Sequence, residues 1–270
     1  MNFKLKALIA AMALAAFAGQ ASADIQPGNN TASSQNGEVV FYAYGLDASG
    51  AAFSYVKDLG VSFNTFLTTP SYALTNLGTD TNWTAFNSAS HVGNEFWGVF
   101  ATQKLSNSPT AANATNLLTT ANANDVSVIS SLSNKNLGDA FGKANSTIVA
   151  INAGGTNYAA NSSYFFDTAT NGAPQNLGSA LGSDFGSSGV FINATNVIGS
   201  ATAAHFFDIT RGAGTSAAGV PSASDVSATH AWTLNGNNLT FAAAVPEPET
   251  YSMLAAGLMM IGAIARRRRV

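Results

Sequence analysis

Short runs rich in β-branched and aromatic residues recur along this chain, and Gly, Asn, Asp or Ser bounds most of them. VVFYAY (39–44), AFSYV (52–56), SFNTFL (62–67) and EFWGVFA (95–101) come first. TIVAIN (147–152), YFFD (164–167), VFINA (190–194) and AHFFDIT (204–210) follow. Such side chains suit a pleated, half-buried surface and the bordering residues favour turns, so each run reads as a strand. The sharpest local signal is AWTLNGNNLTFA, residues 231–242. Trp232 and Leu234 alternate with Thr233, Asn235-Gly236 supplies the positive φ angles of a tight turn, and Leu239 and Phe241 resume the alternation. This predicts a final hairpin.

One stretch breaks the pattern. Residues 110–145 have little β-branched character, and Val126, Ile129 and Leu132 follow helical spacing, which Leu137 and Phe141 repeat. Asp125 suits an N-cap. One or two short helices inserted between strands are expected. Many short strands punctuated by turns predict an all-β fold, a jelly-roll-like β-sandwich over residues 38–244, in preference to a closed barrel. Residues 24–37, polar and rich in Gly and Asn, read as a flexible leader.

Charged residues make up only 9% of the chain, against about a quarter in an ordinary soluble domain. Of the 11 basic residues, Lys4, Lys6 and Arg266, Arg267, Arg268 and Arg269 sit near the two ends. That leaves Lys57, Lys104, Lys135, Lys143 and Arg211 to face 14 acids. Such a surface cannot neutralise phosphates, so no nucleic-acid partner is expected. With no cysteine, a disulfide framework, a thiol nucleophile and a thiolate metal site are excluded.

A catalytic constellation is hard to find. His91, His205 and His230 fit no HExxH pattern, and none lies within five residues of another. His205 and Asp208 are three apart, which in a strand puts them on opposite faces. The loop Gly186-Ser187-Ser188-Gly189 lacks the spacing of a nucleophile elbow, and neither a P-loop nor a GxGxxG fingerprint occurs. No catalytic residue, metal ligand or cofactor is therefore assigned, although paired carboxylates brought together by the fold stay open. Asn122, Asn124 and Asp125, or Asp80 and Asn82, could offer loop oxygens to calcium, but they serve turns equally well. Asn-x-Ser/Thr triplets at Asn82, Asn145, Asn161 and Asn193 follow from composition alone. Trp83, Trp97 and Trp232 could stack on sugars or fill the core.

The two ends read as addresses. Lys4 and Lys6 precede an apolar stretch over 7–18, and Ala21-Ser22-Ala23 follows. These are the three parts of a secretory signal, residues 1–23. Export through the Sec machinery and cleavage by signal peptidase between Ala23 and Asp24 are expected, with Ala21 and Ala23 as the small residues required. At the other end, residues 250–265 carry no charge. As a helix they would span roughly 24 Å, short of a hydrocarbon layer of about 30 Å, a deficit that snorkelling arginines and local thinning can cover. Arg266 to Arg269 would then stop transfer on the cytoplasmic side. Pro246 and Pro248 lack amide protons and fix φ, so the preceding stretch should be extended and open to a peptidase. A plain tail anchor with a proline hinge remains the alternative.

Val245, Pro246, Glu247, Pro248, Glu249 and Thr250, the apolar run and the arginine cluster together resemble the PEP-CTERM sorting signal of Gram-negative bacteria, here residues 245–270. The resemblance covers only about the last tenth of the chain. It implies that the membrane protease exosortase removes the tail near the Pro-Glu-Pro motif, in a host that makes exopolysaccharide. The protein would be held transiently in the inner membrane, facing the periplasm, before reaching the cell surface or the extracellular matrix of a biofilm. The expectation is thus an exported, exosortase-processed, non-enzymatic protein with a structural or adhesive role. The alternative is a secreted protein that binds or degrades polysaccharide by the same route.

Overall fold

The computed structural model describes residues 25–29, 35–50, 52–68, 72–121, 129, 131–154, 163–166, 196–200, 202–216, 218–227 and 230–243. The first strands are β1 (Glu38–Leu46), β2 (Ala52–Ser62), β3 (Tyr72–Asn76), β4 (Phe96–Lys104), β5 (Thr115–Ala121) and β6 (Ser163–Phe166). They are followed by β7 (Asn196–Val197), β8 (His205–Thr210), β9 (Ser222–Asp225), β10 (His230–Asn235) and β11 (Asn238–Ala243). The helices are α1 (Phe63–Thr68), α2 (Thr81–Ser88) and α3 (Asn134–Gly154). The larger sheet runs β6-β2-β1-β4-β5-β8-β9, with β7 paired to the start of β4, and the smaller sheet runs β10-β11-β3. All the pairings are antiparallel.

β1 lies near the middle of the large sheet, and both its faces are covered. Val40 and Tyr42 enter one core cluster, and Val39, Phe41 and Ala43 enter the other. A strand buried on both sides reads as a continuous apolar run, which is why VVFYAY shows no polar alternation. On the first face lies α3, whose Leu137, Ala140, Ala144, Ile148 and Ile151 pack with Val56, Phe100, Leu117, Phe207 and Ile209. On the second lie α1, α2 and the small sheet, which bring Phe63, Phe66, Trp83, Phe86, Trp232 and Phe241 against Phe41, Tyr55, Trp97 and Phe206.

The expected all-β sandwich is therefore corrected: this is a mixed α/β fold with open sheets. The reason lies in two stretches. TIVAIN is β-branched, yet it forms the second half of α3, a 21-residue helix. Leu137, Ala140, Ala144, Ile148 and Ile151 recur every three or four residues, and burying that stripe on the sheet outweighs the weak preference of Thr, Ile and Val against helix. Ser133 starts α3 by a capping box: its Oγ accepts from Asn136 N at 3.2 Å, and Asn136 Oδ1 accepts from Ser133 N at 3.1 Å. Asp125, the expected cap, lies outside the described residues. Conversely, residues 115–121 fall within the stretch read as helical but form β5, between β4 and β8. SFNTFL divides too, with Ser62 closing β2 and the rest forming α1.

The final hairpin is present. Trp232 pairs with Phe241 and Leu234 with Leu239. Its two-residue loop is Gly236-Asn237, one position later than the expected turn, and Gly236 carries the positive φ of 56°. Residues 25–29, expected to be a flexible leader, instead sit against the helix face of the sheet, with Ile25 only 1% exposed. No helix among the described residues is long and apolar enough to cross a membrane. α3 is long enough at roughly 31 Å, but Lys135, Asp139 and Lys143 interrupt it. The expected transmembrane helix and membrane-anchored localisation are corrected accordingly, and residues 1–23 and 250–265, assigned to the signal and the anchor, lie outside the described residues.

Candidate functional site

Three groups of side chains could carry chemistry, and each follows from how neighbouring elements meet. The first centres on Asp80, the N-cap of α2. Its Oδ1 accepts from Asn82 N at 3.0 Å, Trp83 N at 3.3 Å and Ser163 Oγ at 2.8 Å. Its Oδ2 accepts from Tyr55 Oη at 2.9 Å and Lys57 Nζ at 3.3 Å. Burial pushes this carboxyl up, but the bonds from Ser163 and Tyr55 and the charge of Lys57 outweigh it and hold it below the usual range. Asn82 donates to Ser163 O at 2.9 Å, which ties β6 to α2. Asp80 therefore acts as a structural knot with both carboxylate oxygens engaged, and Asn82 joins it as a donor through its backbone N and Nδ2. Among the described residues, no group of three or more His, Asp or Glu side chains converges on a metal position.

The second group joins β8 to the turn after β9. His205 Nδ1 lies 2.9 Å from Asp225 Oδ2 and 3.2 Å from Ser227 Oγ. Ser227 N and Oγ both donate to Asp225 Oδ1. Burial raises the Asp225 carboxyl, yet the bonds from Ser227 and His205 prevail and lower it. The trio has the composition of a hydrolytic triad without its geometry. A serine is activated from Nε2 while the carboxylate holds Nδ1; here both partners meet the same Nδ1. The arrangement fixes the imidazole and leaves the serine unactivated. Asp208 takes no part: burial raises its carboxyl, and its buried Oδ1 has no hydrogen-bond partner. Sequence reasoning missed the His205–Asp225 pair because only the β8–β9 register brings residues 20 apart together.

The third group is a pair of carboxyls on the helix face, Glu38 at 9% and Asp58 at 3% exposure. Asp58 lies opposite Val40 in the β1–β2 register, which places it diagonally from Glu38. Burial, and then repulsion from Asp58, pushes the Glu38 carboxyl up to about 7, despite the hydrogen bond from Gln26 N. Asp58 Oδ1 accepts from Gly60 N at 2.7 Å. The sequence carried one signal here, since Lys57-Asp58 interrupts an otherwise apolar strand.

The remaining sequence candidates disperse. His91 Nδ1 lies 3.5 Å from Glu95 Oε1 at an exposed position, and His230 stacks on Phe241. Trp83, Trp97 and Trp232, considered as sugar platforms, are at most 1% exposed and belong to the core. Among the described residues, aromatics left only partly buried include Tyr44 and Phe96, stacked at 5.4 Å, and Tyr164, stacked on the buried Phe166 at 5.8 Å. All four project from the helix face of the sheet. Burial raises the Tyr44 hydroxyl to about 12. Asn145 is engaged by Thr102 and Gly28 rather than free for modification. Asn122, Asn124, Asp125, Asn161, Asn193, residues 186–189, Ala21, Ala23, Asp24, Val245 to Thr250 and Arg266 to Arg269 lie outside the described residues.

Comparison of the chain with family models, with curated proteins and with solved structures finds no match. The tail's likeness to the exosortase sorting signal gains no support there, and the membrane helix it implies is absent from the described residues.

Proposed function

We propose that this chain is an exported, exosortase-processed protein whose folded body plays a structural or adhesive part in an exopolysaccharide matrix and performs no catalysis. The observation that carries the reading for the body is the condition of its polar side chains. Asp80 binds five donors and holds three elements together. Asp225 and Ser227 both meet a single ring nitrogen of His205, and Ser227 Oγ donates to Asp225 Oδ1. These two groups are spent on fastening the fold. The processing half of the proposal rests on Val245 to Thr250 and Arg266 to Arg269 as sequence.

A second reading, polysaccharide binding, is favoured by one observation, the partly buried Tyr44, Phe96 and Tyr164 on one sheet face. The two parts are tested separately. An unrelated exported reporter carrying residues 245–270 should be shortened in a host with exosortase and stay intact without it; equal processing in both ends the sorting reading. Purified protein should pull down with host exopolysaccharide, and Tyr44→Ala with Phe96→Ala should weaken that binding. No retention of the intact protein would remove the polysaccharide reading.

A further inference from the structure

Residues 25–29, expected to be a leader, are gripped twice by α3. Ile25 N donates to Asn152 Oδ1 at 3.2 Å, and Asn152 Nδ2 donates to Ile25 O at 2.8 Å. Three residues on, Asn145 Nδ2 donates to Gly28 O at 2.6 Å, while Gly28 N donates to Thr102 Oγ1 at 3.0 Å. Thr102 Oγ1 in turn donates to Asn145 Oδ1 at 2.7 Å, which closes a ring between the segment, β4 and α3. Between the two grips, Gln26 N donates to Glu38 Oε2 at 2.6 Å and Gln26 O accepts from Glu38 N at 2.9 Å. Both polar main-chain atoms of Ile25, Gln26 and Gly28 are thus bound, to α3 on one side and to β1 and β4 on the other.

The spacing of the grips follows from helix and extended-chain geometry. Asn145 and Asn152 stand seven positions apart, two helical turns, so they share one face of α3 about 10 Å apart along its axis. Ile25 and Gly28 are three positions apart, and three residues of extended chain also cover about 10 Å. Ile148, on the same face between the asparagines, lies in one core cluster with Ile25, which is 1% exposed. Gly28 admits no side chain: a Cβ there would lie 2.5 Å from Thr102 O, and one on Gly37 would lie 2.7 Å from Gly28 N. The seat therefore reads main chain at both ends, with one apolar anchor and one position where only glycine fits.

We propose that residues 25–29 are a strap that latches the second half of α3 onto the sheet, and that strap and helix lift together while the sheet stays paired. β1 and β4 are joined by their own ladder from Val40 to Tyr44, so the centre of the sheet does not depend on the strap. The second half of α3 meets the sheet through Ala144, Ile148 and Ile151 and meets the strap through Asn145 and Asn152. A region held by so few groups opens without global unfolding. Once lifted, the strap frees the amides of Asn145 and Asn152 and vacates the apolar seat of Ile25 beside Ile148, and the helix end can leave the sheet face.

Native-state amide hydrogen exchange of the full-length protein tests the coupling. In the wild type, the amides of Ile25, Gly28, Ile148 and Ile151 should share one opening, with matching protection and matching response to low denaturant. Val99 in β4, whose amide is bound by Thr120 Oγ1, should be protected more strongly. Gly28→Ala changes no residue of α3, yet it should lower protection at Ile148 and Ile151 by roughly tenfold, the weight of the hydrogen bonds it dislodges, and leave Val99 unchanged. Asn152→Ala removes both bonds to Ile25 and should lower protection at Ile25 and Gly28 to a similar extent, although alanine favours the helix. Protection at Ile148 and Ile151 that Gly28→Ala leaves intact, strap and helix amides that open separately, or a loss that extends equally to Val99 would each overturn the proposal.

Discussion

Replacing Asp80 by alanine takes the acceptor away from five donors at once, and the structure sets the size of the loss. Tyr55 is fully buried, so its hydroxyl would lose a partner without gaining water, which costs about 1–3 kcal/mol. The N-cap of α2 disappears as well, at about 1 kcal/mol. Ser163 lies beside Tyr55 and can take over part of the hydroxyl's bonding, so the expected total is about 2–4 kcal/mol. That is a large share of an ordinary domain's stability of roughly 5–15 kcal/mol. Asp80→Asn keeps a good cap and one acceptor oxygen and should cost distinctly less. The charge adds a pH signature. The Asp80 carboxyl is held below its ordinary value, so its contribution is complete above an unfolded pKa of about 3.9 and is lost as pH falls through the folded value. Urea unfolding followed by tryptophan fluorescence should therefore show a wide gap between wild type and Asp80→Ala at pH 7 that narrows near pH 2.5. A variant within about 0.5 kcal/mol of wild type at pH 7, the range of an ordinary surface change, would refute the reasoning. So would a gap that stays constant with pH.

Three further outcomes follow from the packing. Trp97→Ala should lower stability by about 3–5 kcal/mol in thermal unfolding, as truncation of a buried large aromatic does, so that any loss of sugar retention in this variant reports on folding. Gly98→Ala places a Cβ 2.7 Å from the buried Tyr42 hydroxyl and should cost about 1–3 kcal/mol by overpacking, measured by denaturant midpoint. Ser133→Ala should destabilise by about 1 kcal/mol through loss of the α3 cap, while Ser133→Asp should be nearly neutral; equal loss in both would show that the hydroxyl bond to Asn136 does not cap the helix.

Particular elements show where local reading succeeds. The β10–β11 hairpin was legible because everything that makes it lies within 14 residues: alternating side chains, a glycine able to take positive φ, and partners adjacent in the chain. β1 was legible because β-branched and aromatic residues without polar interruption have few other uses. α3 was half legible. Its apolar stripe continues from Leu137 to Ile151 at helical spacing, but β-branched residues at 147–151 suggested a strand and concealed the second half. β5 was misread for the converse reason: Thr115–Ala121 carries no aromatic residue and buries the polar Asn116, Thr119 and Thr120, and it is a strand because β4 and β8 stand on either side to pair with it.

The candidate groups show the same division more sharply. Pro246, Pro248 and the terminal arginines can be interpreted as a linear signal because a peptidase reads a linear segment, and such a reading needs no fold. The His205–Asp225 pair, the five-donor knot at Asp80 and the Glu38–Asp58 carboxyls join residues 20, 25 and 20 positions apart. The sequence by itself determined the low charge and the local signals of β1 and of the β10–β11 hairpin, all properties of neighbouring residues. Tertiary structure decided which face each run buries, that a helix covers one side of the sheet, and which polar groups are removed from water together. Those outcomes depend on burial and strand register, which arise only when distant segments are packed against one another.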